Sequence, residues 1–504
     1  MNIALLTLPL SCLGIYLTYF YFGSVSYFYY KYDFLNIFTT SLNLAFLVGL
    51  INYVFFVLIK KINYKLYYYY KGLLFSFVLY FTFHFIVRFS DIYYKDLFNY
   101  FFDENNFIIK IFFFLLPFLF GLYIYFFSKI NVSKIYKFLL ILIIILISMS
   151  LIRFKDIYII EKNNKNNYLK SNYQNLITND KIKYPSDKKK VFLLLFDNFD
   201  NYYLKKNLNY LPNLKKLISS SYVNEKFFPT GKYTRSSIPG MLLGTSIKKI
   251  VIKNGELSII NIENQKIDLN TKNSIFGDLD KRNLRSSIFG EYHPYCRVLK
   301  VEICYDNLNR TKEIISFYKS IEIFMHITYI SRIYNNQANI SKDRNKYKEQ
   351  HSQLGKYLHE NSNKFINTDA EFIYVHYNYP HPPLITDQFV NLPDFNKELS
   401  DYEKNIFIVE KSIAQIINDL KKFEGSMLII TSDHWHRNRN DNKAHPMVFM
   451  AKIIGDDQSF TSYKSSNASS IKKLILNFFD QKILENHDIK LYFDRAINHK
   501  VFMK

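Results

Sequence analysis

The sequence predicts a membrane part of five helices followed by an α/β domain. Long apolar stretches are concentrated before Arg153, where 12 basic and 5 acidic residues stand among them. Beyond that residue, apolar runs of strand length alternate with an amphipathic helix, a pattern typical of a largely parallel sheet covered by helices. Three of these runs lead directly into Asp or His side chains. A hydrophobic content of 49% excludes a disordered chain, and three cysteines exclude a disulfide-built scaffold.

The membrane part is predicted from five apolar stretches, each near the length that a bilayer requires. They cover residues 2–22, 34–59, 72–89, 107–127 and 138–152. Lysines cluster in the second and fourth connections between them, and such basic loops remain on the cytoplasmic side. An N-terminus inside the cell satisfies both clusters, and an odd number of crossings then places everything beyond Arg153 outside. We therefore expect a multi-pass protein of the cytoplasmic (inner) membrane with an extracytoplasmic, periplasmic domain.

Three parts of the chain follow from this division. Residues 1–153 form the predicted transmembrane domain, residues 154–188 a surface linker rich in Asn, Lys and Tyr, and residues 189–504 the folded domain. The formal net charge of +22 fits a domain that lies beside an anionic membrane surface. Nucleic acid is the other partner that such charge suggests, but no recognised binding motif supports it, so we expect no nucleic acid.

The folded domain opens with a continuous apolar run at residues 191–196, which predicts a buried strand. Further strands are predicted at 371–376, 427–432 and 447–452. A helix is predicted at 401–423, because its apolar residues recur at intervals of three and four. Since ligands of open α/β sheets bind beyond the carboxyl ends of the strands, the residues that follow these strands are candidate site residues.

The candidate side chains at these strand ends are carboxylates and imidazoles, which bind metals or carry protons. They are Asp197, His376, Asp433 and His434, with His381 in the following Pro-His-Pro-Pro segment. A separate segment, 229–244, reads as a turn followed by a short helix and offers three hydroxyl groups, Thr234, Ser236 and Ser237. A hydroxyl at a helix N-terminus lies where anions bind, and a metal or a base can turn it into a nucleophile.

The order of these motifs resembles the alkaline-phosphatase superfamily. Strand-Asp, Thr-x-x-x-x-Pro, Pro-His-Pro-Pro, Ser-Asp-His and a later His-Pro follow one another as in its sulfatase-like membrane transferases, such as phosphoethanolamine transferases and lipoteichoic-acid synthases. The resemblance implies an α/β/α catalytic domain behind five membrane helices. It also selects Thr234 as the nucleophile, because this residue stands five positions before Pro239, as in the ethanolamine enzymes.

The resemblance further implies one divalent metal, zinc or alternatively manganese, held by Asp197, Thr234, Asp433 and His434. His381 and His445 would contact the transferred phosphate or the leaving oxygen. The candidate substrate contacts are His376, Lys232 and Arg235.

The implied activity is transfer of a phosphoethanolamine-like group from a membrane phospholipid to an envelope glycolipid or polysaccharide through a covalent threonine intermediate. The chain has Asp197 where these transferases usually have Glu, and its histidine segment is sulfatase-like. No cysteine begins the motif that sulfatases convert to formylglycine. Two alternatives therefore stay open: a sulfatase-like hydrolase or phosphodiesterase, and a catalytically inactive membrane scaffold.

Two of the cysteines, Cys296 and Cys304, lie close together in the part of the chain predicted to be outside the cell. Because oxidising compartments favour disulfides, we predict that these two are bridged.

Overall fold

The chain divides into two units, each described by itself below. One, the helical unit, comprises Met1–Asn163, Lys253–Gly255 and Arg310–Ser341; the other, the α/β unit, comprises Asn164–Ile252, Glu256–Asn309 and Lys342–Lys504. The structure is a computed structural model that describes residues 3–22, 34–89, 107–127, 131–168, 189–253, 256–290, 292–306, 318, 320, 321, 324, 340–384, 399–437 and 444–495. Most of the linker predicted at 154–188 lies outside the described residues.

Five long helices form the described core of the helical unit. They are α1 (Ile3–Phe22), α2 (Phe34–Ile62), α3 (Tyr64–Phe89), α4 (Phe107–Phe127) and α5 (Val132–Tyr168). Helices α1, α2 and α4 each pack against α3. Small residues permit close approach: a Cβ on Gly121 of α4 would lie 2.7 Å from the Cα of Ser76 on α3. Helix α5 continues beyond the predicted apolar stretch, as far as Tyr168.

Two stretches of these helices are long and apolar enough to cross a membrane, Leu35–Ile62 and Val132–Ile152, judged by length and composition over the described residues. Leu5–Thr18 and Leu115–Phe127 are also apolar but shorter. Five helices are thus present where five were expected. The prediction that all five cross a membrane stays a prediction.

The α/β unit begins with β1 (Val191–Asp197) and is built on a mixed sheet. The elements that follow in its first half are α6 (Asn201–Asn207), α7 (Pro212–Ile218), β2 (Tyr222–Asn224), β3 (Phe227–Phe228), α8 (Thr234–Leu243), β4 (Ile247–Lys253), β5 (Glu256–Asn261), β6 (Lys266–Asp268), α9 (Ile275–Asp280), β7 (Ser286–Gly290), α10 (Tyr295–Val298) and β8 (Ile303–Asp306). The second half contains α11 (Ile340–Glu360), α12 (Ser362–Ile366), β9 (Phe372–Pro380), α13 (Asp401–Leu420), β10 (Met427–Ser432), β11 (Phe449–Ile453), β12 (Phe460–Ser462), β13 (Ser466–Asn467), α14 (Ser470–Phe479) and α15 (Asn486–Arg495).

The main sheet has eight strands in the order β12-β2-β11-β10-β1-β9-β7-β8. Strands β10, β1, β9, β7 and β8 run parallel, whereas β11 is antiparallel to β10. Every residue of β1, β9 and β10 is buried, because helices cover both faces of a central parallel sheet. The predicted α/β class is therefore confirmed.

One face of the sheet packs against α13 and forms a large apolar core. Phe192 and Leu194 of β1 pack there with Ile373 of β9 and with Ile406 and Ile413 of α13. Helix α13 begins with a capping box, in which Ser400 and Glu403 bond each other's backbone N–H groups. This cap and the apolar stripe of α13 explain why the sequence predicted the helix well.

Candidate active site

Two neighbouring strands bring three of the predicted site residues together. β1 and β10 pair in parallel with Phe196 opposite Ser432, so Asp197 and Asp433 leave the sheet side by side. One ligand atom each from Asp197, Asp433 and His434 lie within 4.8 Å of one another, and all three residues are buried. Nε2 of His434 is 3.2 Å from Oδ2 of Asp433 and 3.8 Å from Oδ1 of Asp197.

A turn after β1 holds the Asp433 carboxylate in place. Asn198 adopts a φ of 70°, the left-handed region that Asn tolerates better than most residues. In this conformation its backbone N–H donates to Asp433 Oδ1 at 2.8 Å, and the N–H of His434 donates to the same oxygen at 2.8 Å. Burial alone would raise the pKa of Asp433, but the neighbouring His434 and His376 side chains, the nearby Thr234 hydroxyl and the Asn198 N–H keep it below its ordinary value. Asp433 is therefore a carboxylate at neutral pH.

The environment of His434 leaves one ring nitrogen with a free lone pair close to the carboxylates. Its Nδ1 lies 2.9 Å from the carbonyl oxygen of Trp435, to which it can only donate a proton. Burial lowers the pKa of the imidazole, so the ring is neutral and Nε2 carries no proton. A neutral imidazole with an orienting bond on its other nitrogen is the form that ligates metals.

Helix α8 places the Thr234 hydroxyl at the same point. Thr234 is the first residue of the helix, is buried, and its Oγ1 lies 3.2 Å from His434 Nε2. The Ser236 hydroxyl is engaged at the helix start, where it accepts from the Tyr233 N–H at 3.2 Å and donates to the Tyr233 carbonyl at 2.9 Å. Of these two hydroxyl groups, only that of Thr234 lies at the carboxylate cluster.

These four side chains fit a metal ion. Oδ2 of Asp433 is fully buried, accepts no hydrogen bond from the part of the chain that the structure describes, and lies 3.2 Å from His434 Nε2. Two neighbouring buried carboxylates repel one another unless a cation lies between them. Carboxylate, imidazole and hydroxyl donors are ligands for zinc and for harder divalent cations alike. Asp197, Asp433, His434 and Thr234 could therefore hold one ion.

The position of His376 differs from the sequence-based expectation. Strand β9 does not end there but continues to Pro380, so His376 lies within the strand, 2% exposed. The aromatic residues that follow it sustain the strand, which is paired on both sides. The His376 Nδ1 is 2.9 Å from the Tyr295 hydroxyl, which in turn lies 3.1 Å from the Tyr374 hydroxyl. His376 is thus part of a buried polar network.

His381 instead follows the end of β9. Pro380 pairs with Asp197, which brings the next residue to the edge of the sheet where the carboxylates lie. The His381 Nδ1 contacts the carbonyl of Pro382, so its Nε2 is the acceptor, and burial lowers its pKa. The amide of Asn405 from α13 donates to the His381 carbonyl at 3.1 Å, and the His351 ring lies 3.0 Å from it. Two other elements therefore hold this segment.

The remaining predicted residues lie around the site with fewer defined contacts. His445 is half-buried, and its ring centroid is 6.3 Å from that of Trp435. Lys232 is exposed in the turn before α8, whereas Arg235 is half-buried on its first turn. The charge of Arg235 lowers the pKa values of Tyr292 and His293, which places Arg235 beside the loop that follows β7.

Sequence reasoning missed two residues that contact the site directly. The fully buried His293 has its Nε2 3.3 Å from the Thr234 carbonyl, and burial lowers its pKa to about 3. Arg437 places Nη2 3.2 Å from His434 Nε2. His293 comes from the loop after β7, for which the sequence offered no signal. Arg437, four residues after Asp433, could have been found from the basic residues that follow the Asp-His pair.

The two cysteines predicted to pair form a disulfide behind this loop. Cys296 in α10 and Cys304 in β8 are bonded, with Cα atoms 5.5 Å apart. The carboxylate of Asp306 accepts from the Cys296 N–H at 2.9 Å and fixes the same turn. The bridge therefore constrains α10, which carries the Tyr295 hydroxyl.

No protein-family model matches the chain, and no curated protein sequence matches it either. Several solved structures match the chain. A protein of the alkaline phosphatase superfamily from Vibrio parahaemolyticus is 12% identical, with a TM-score of 0.37 over 57% of this chain and 65% of that one. A lipoteichoic acid synthase from Listeria monocytogenes is 14% identical, with a TM-score of 0.37 over 60% of this chain and 74% of its own.

The C-terminal periplasmic domain of a phosphoethanolamine transferase from Campylobacter jejuni is 14% identical, with a TM-score of 0.34 over 59% of this chain and 93% of that domain. The chain spans slightly less than two thirds of the first structure named above. At these identities and TM-scores, the likeness transfers no activity, substrate or residue role. The solved structures that this chain resembles do include members of the alkaline-phosphatase superfamily, as the order of its sequence motifs predicted.

Proposed function

We propose that this protein transfers a phospho-substituent, through a covalent intermediate on Thr234, from a membrane phospholipid to a hydroxyl group of an envelope glycolipid or polysaccharide. The observation that carries the proposal is the position of the Thr234 hydroxyl, 3.2 Å from His434 Nε2 and beside two buried carboxylates. A hydroxyl buried among potential metal ligands at the start of a helix is suited to attack an anionic phosphorus centre.

Asp197, Asp433, His434 and Thr234 would hold one divalent metal, with zinc as the first candidate and manganese as the second. Such an ion, when bound, lowers the pKa of a ligating hydroxyl and offsets negative charge on phosphoryl oxygens. The N-terminus of α8 adds positive potential at the same place. The apolar helices of the other unit support a donor that is itself a lipid.

The exchange of bonds and protons can be assigned to side chains of this chain. Thr234 Oγ1 forms a bond to phosphorus while the bond from phosphorus to the lipid oxygen breaks, which releases diacylglycerol. His381, neutral and with Nε2 available, takes the threonine proton and returns it to the leaving oxygen. An acceptor hydroxyl then attacks phosphorus and loses its proton to the same imidazole, while the bond from phosphorus to Thr234 Oγ1 breaks. The imidazole passes this proton to Thr234 Oγ1, which restores the threonine hydroxyl. His445 is the alternative proton carrier.

Mass spectrometry of the full-length protein tests this proposal. After incubation with phospholipid vesicles that contain phosphatidylethanolamine and phosphatidylglycerol, we expect a peptide modified at Thr234 by the mass of one phospho-head group. Thr234→Ala should abolish the adduct, whereas Ser236→Ala should retain it, because the Ser236 hydroxyl is bonded at the helix start. An adduct on Ser236, or turnover of lipid without any adduct, would contradict the threonine intermediate. Release of free head-group phosphate without an acceptor would favour the hydrolase.

A further inference from the structure

Arg437 occupies a position that the proposed reaction leaves unexplained. It follows the Asp433-His434 pair on an exposed turn, and its Nη2 reaches to within 3.2 Å of His434 Nε2. Its guanidinium carbon lies 4.8 Å from the ring centroid of Tyr233, the residue immediately before Thr234. One side chain therefore touches a candidate metal ligand and the residue that precedes the candidate nucleophile.

The charge of Arg437 suits a different partner from the one that it contacts here. Nε2 of His434 carries one lone pair, and Thr234 Oγ1 also lies 3.2 Å from it. If that lone pair ligates a cation, the guanidinium can no longer bond to it and stands next to a like charge. Such an arrangement is stable where an anion lies between the two positive groups.

Two further basic side chains belong to the segment that carries Thr234. Arg235 lies half-buried on the first turn of α8, and Lys232 is exposed in the turn that leads into it. Of these three basic side chains, Arg437 is the one with defined contacts at the site.

We infer that Arg437 binds the non-bridging oxygens of the phosphoryl group that Thr234 attacks, and that Tyr233 orients the guanidinium for this role. The inference rests on the proposed function and adds the residue that recognises the anionic part of the substrate. A guanidinium presents paired N–H donors to two oxygens of a tetrahedral anion, whereas a lysine would supply only a point charge. Its stacking on the Tyr233 ring limits the directions in which those donors can point.

Binding of inorganic phosphate tests this role without turnover. Calorimetric titration of the metal-loaded, full-length protein in detergent should show phosphate binding that weakens about tenfold or more in Arg437→Gln. Arg437→Lys should fall between the two proteins. Tyr233→Leu should weaken binding with no change in charge, since Tyr233 is 50% exposed and tolerates the substitution. Arg282→Gln is the matched control, because Arg282 pairs with Asp480 at 3.0 Å on the surface.

Metal affinity supplies the second measurement, because a substrate-binding role and a structural role predict opposite changes. Removal of a positive charge beside His434 should tighten metal binding in Arg437→Gln by about threefold or more at low ionic strength. Unchanged phosphate binding in Arg437→Gln would overturn the inference. So would a parallel loss of metal and phosphate binding, since Arg437 would then only support the metal ligands.

The two proposals fail in distinguishable ways. Arg437-dependent phosphate binding with no adduct on Thr234 would refute the covalent transfer and leave the anion-binding role intact. An adduct on Thr234 with phosphate affinity equal in wild type and Arg437→Gln would refute the anion-binding role alone.

Discussion

Asp433→Asn separates the structural role of this side chain from its role as a metal ligand. In the wild type, Oδ1 accepts the N–H groups of Asn198 and His434, each at 2.8 Å. An asparagine carbonyl oxygen can take over both bonds. Its amide nitrogen then occupies the position of Oδ2, 3.2 Å from His434 Nε2, which is an acceptor because Nδ1 donates to the Trp435 carbonyl. The substitution therefore keeps both hydrogen bonds of Oδ1 and removes a metal ligand.

The expected energies follow from these contacts. Without metal, the variant no longer holds two carboxylates, Asp433 and Asp197, in one buried cluster, and it keeps both hydrogen bonds of Oδ1. We therefore expect its metal-free form to be at least as stable as the wild type. Asp433→Ala instead leaves two buried N–H groups unsatisfied, at a cost of about 1–3 kcal/mol for each. Metal at a hundredfold excess over its dissociation constant should stabilise the wild type by about 2.7 kcal/mol and neither variant.

Thermal unfolding of the full-length protein in detergent measures these differences, first after chelation and then after addition of zinc or manganese. The wild-type Tm should rise by several degrees with metal, whereas the Tm of Asp433→Asn should stay constant. A metal-dependent rise in Asp433→Asn would refute the ligand assignment. A metal-free Asp433→Asn that melts as low as Asp433→Ala would refute the account of its hydrogen bonds.

Three further predictions concern side chains around the site, two of them through stability and one through turnover. Burial raises the pKa of Asp306 to about 7, so the folded state binds the Asp306 proton more tightly than the unfolded state does. The stability that this proton supplies is fully present below the ordinary carboxyl pKa and is lost as the pH rises to about 7. Chemical denaturation at pH 5 and pH 8 should show a drop that Asp306→Asn removes, and an equal drop in the variant would contradict this. Replacing Cys296 and Cys304 by alanine should lower the free energy of unfolding by about 2–3 kcal/mol, since the sequence separation is 8, and a melt unchanged by reductant would argue against the bridge. Asn405→Ala removes the amide that bonds the carbonyls of His381 and Pro383, so it should slow lipid turnover. Metal affinity, measured by titration, should stay at the wild-type value. A loss of metal affinity would show that the amide supports the metal ligands instead.

Much of the α/β unit could be predicted because its central elements carry strong local signals. The strand at Met427–Ser432 has the bounds expected from its apolar run, and the helix at Asp401–Leu420 begins at the expected residue. Strand β9 was predicted too short, since its second half alternates tyrosine with polar residues and gives no clear end. The last strand was predicted to begin at Met447, but β11 begins two residues later, because Met447 forms an isolated bridge with Asp200 instead. Strand β11 also runs antiparallel to its neighbour β10.

The sequence by itself determined which side chains follow buried strands, and therefore nominated Asp197, Asp433 and His434; Thr234 was nominated by its place at the start of a predicted helix and by the family resemblance. A continuous apolar run ends where a polar side chain reaches solvent or a ligand, so the signal is local. Only the tertiary structure decided that β1 and β10 are neighbours in register, which makes Asp197 and Asp433 converge. It also brought Arg437 to the ring of Tyr233. That contact depends on how loops from distant parts of the chain meet at one edge of the sheet, which no local periodicity encodes.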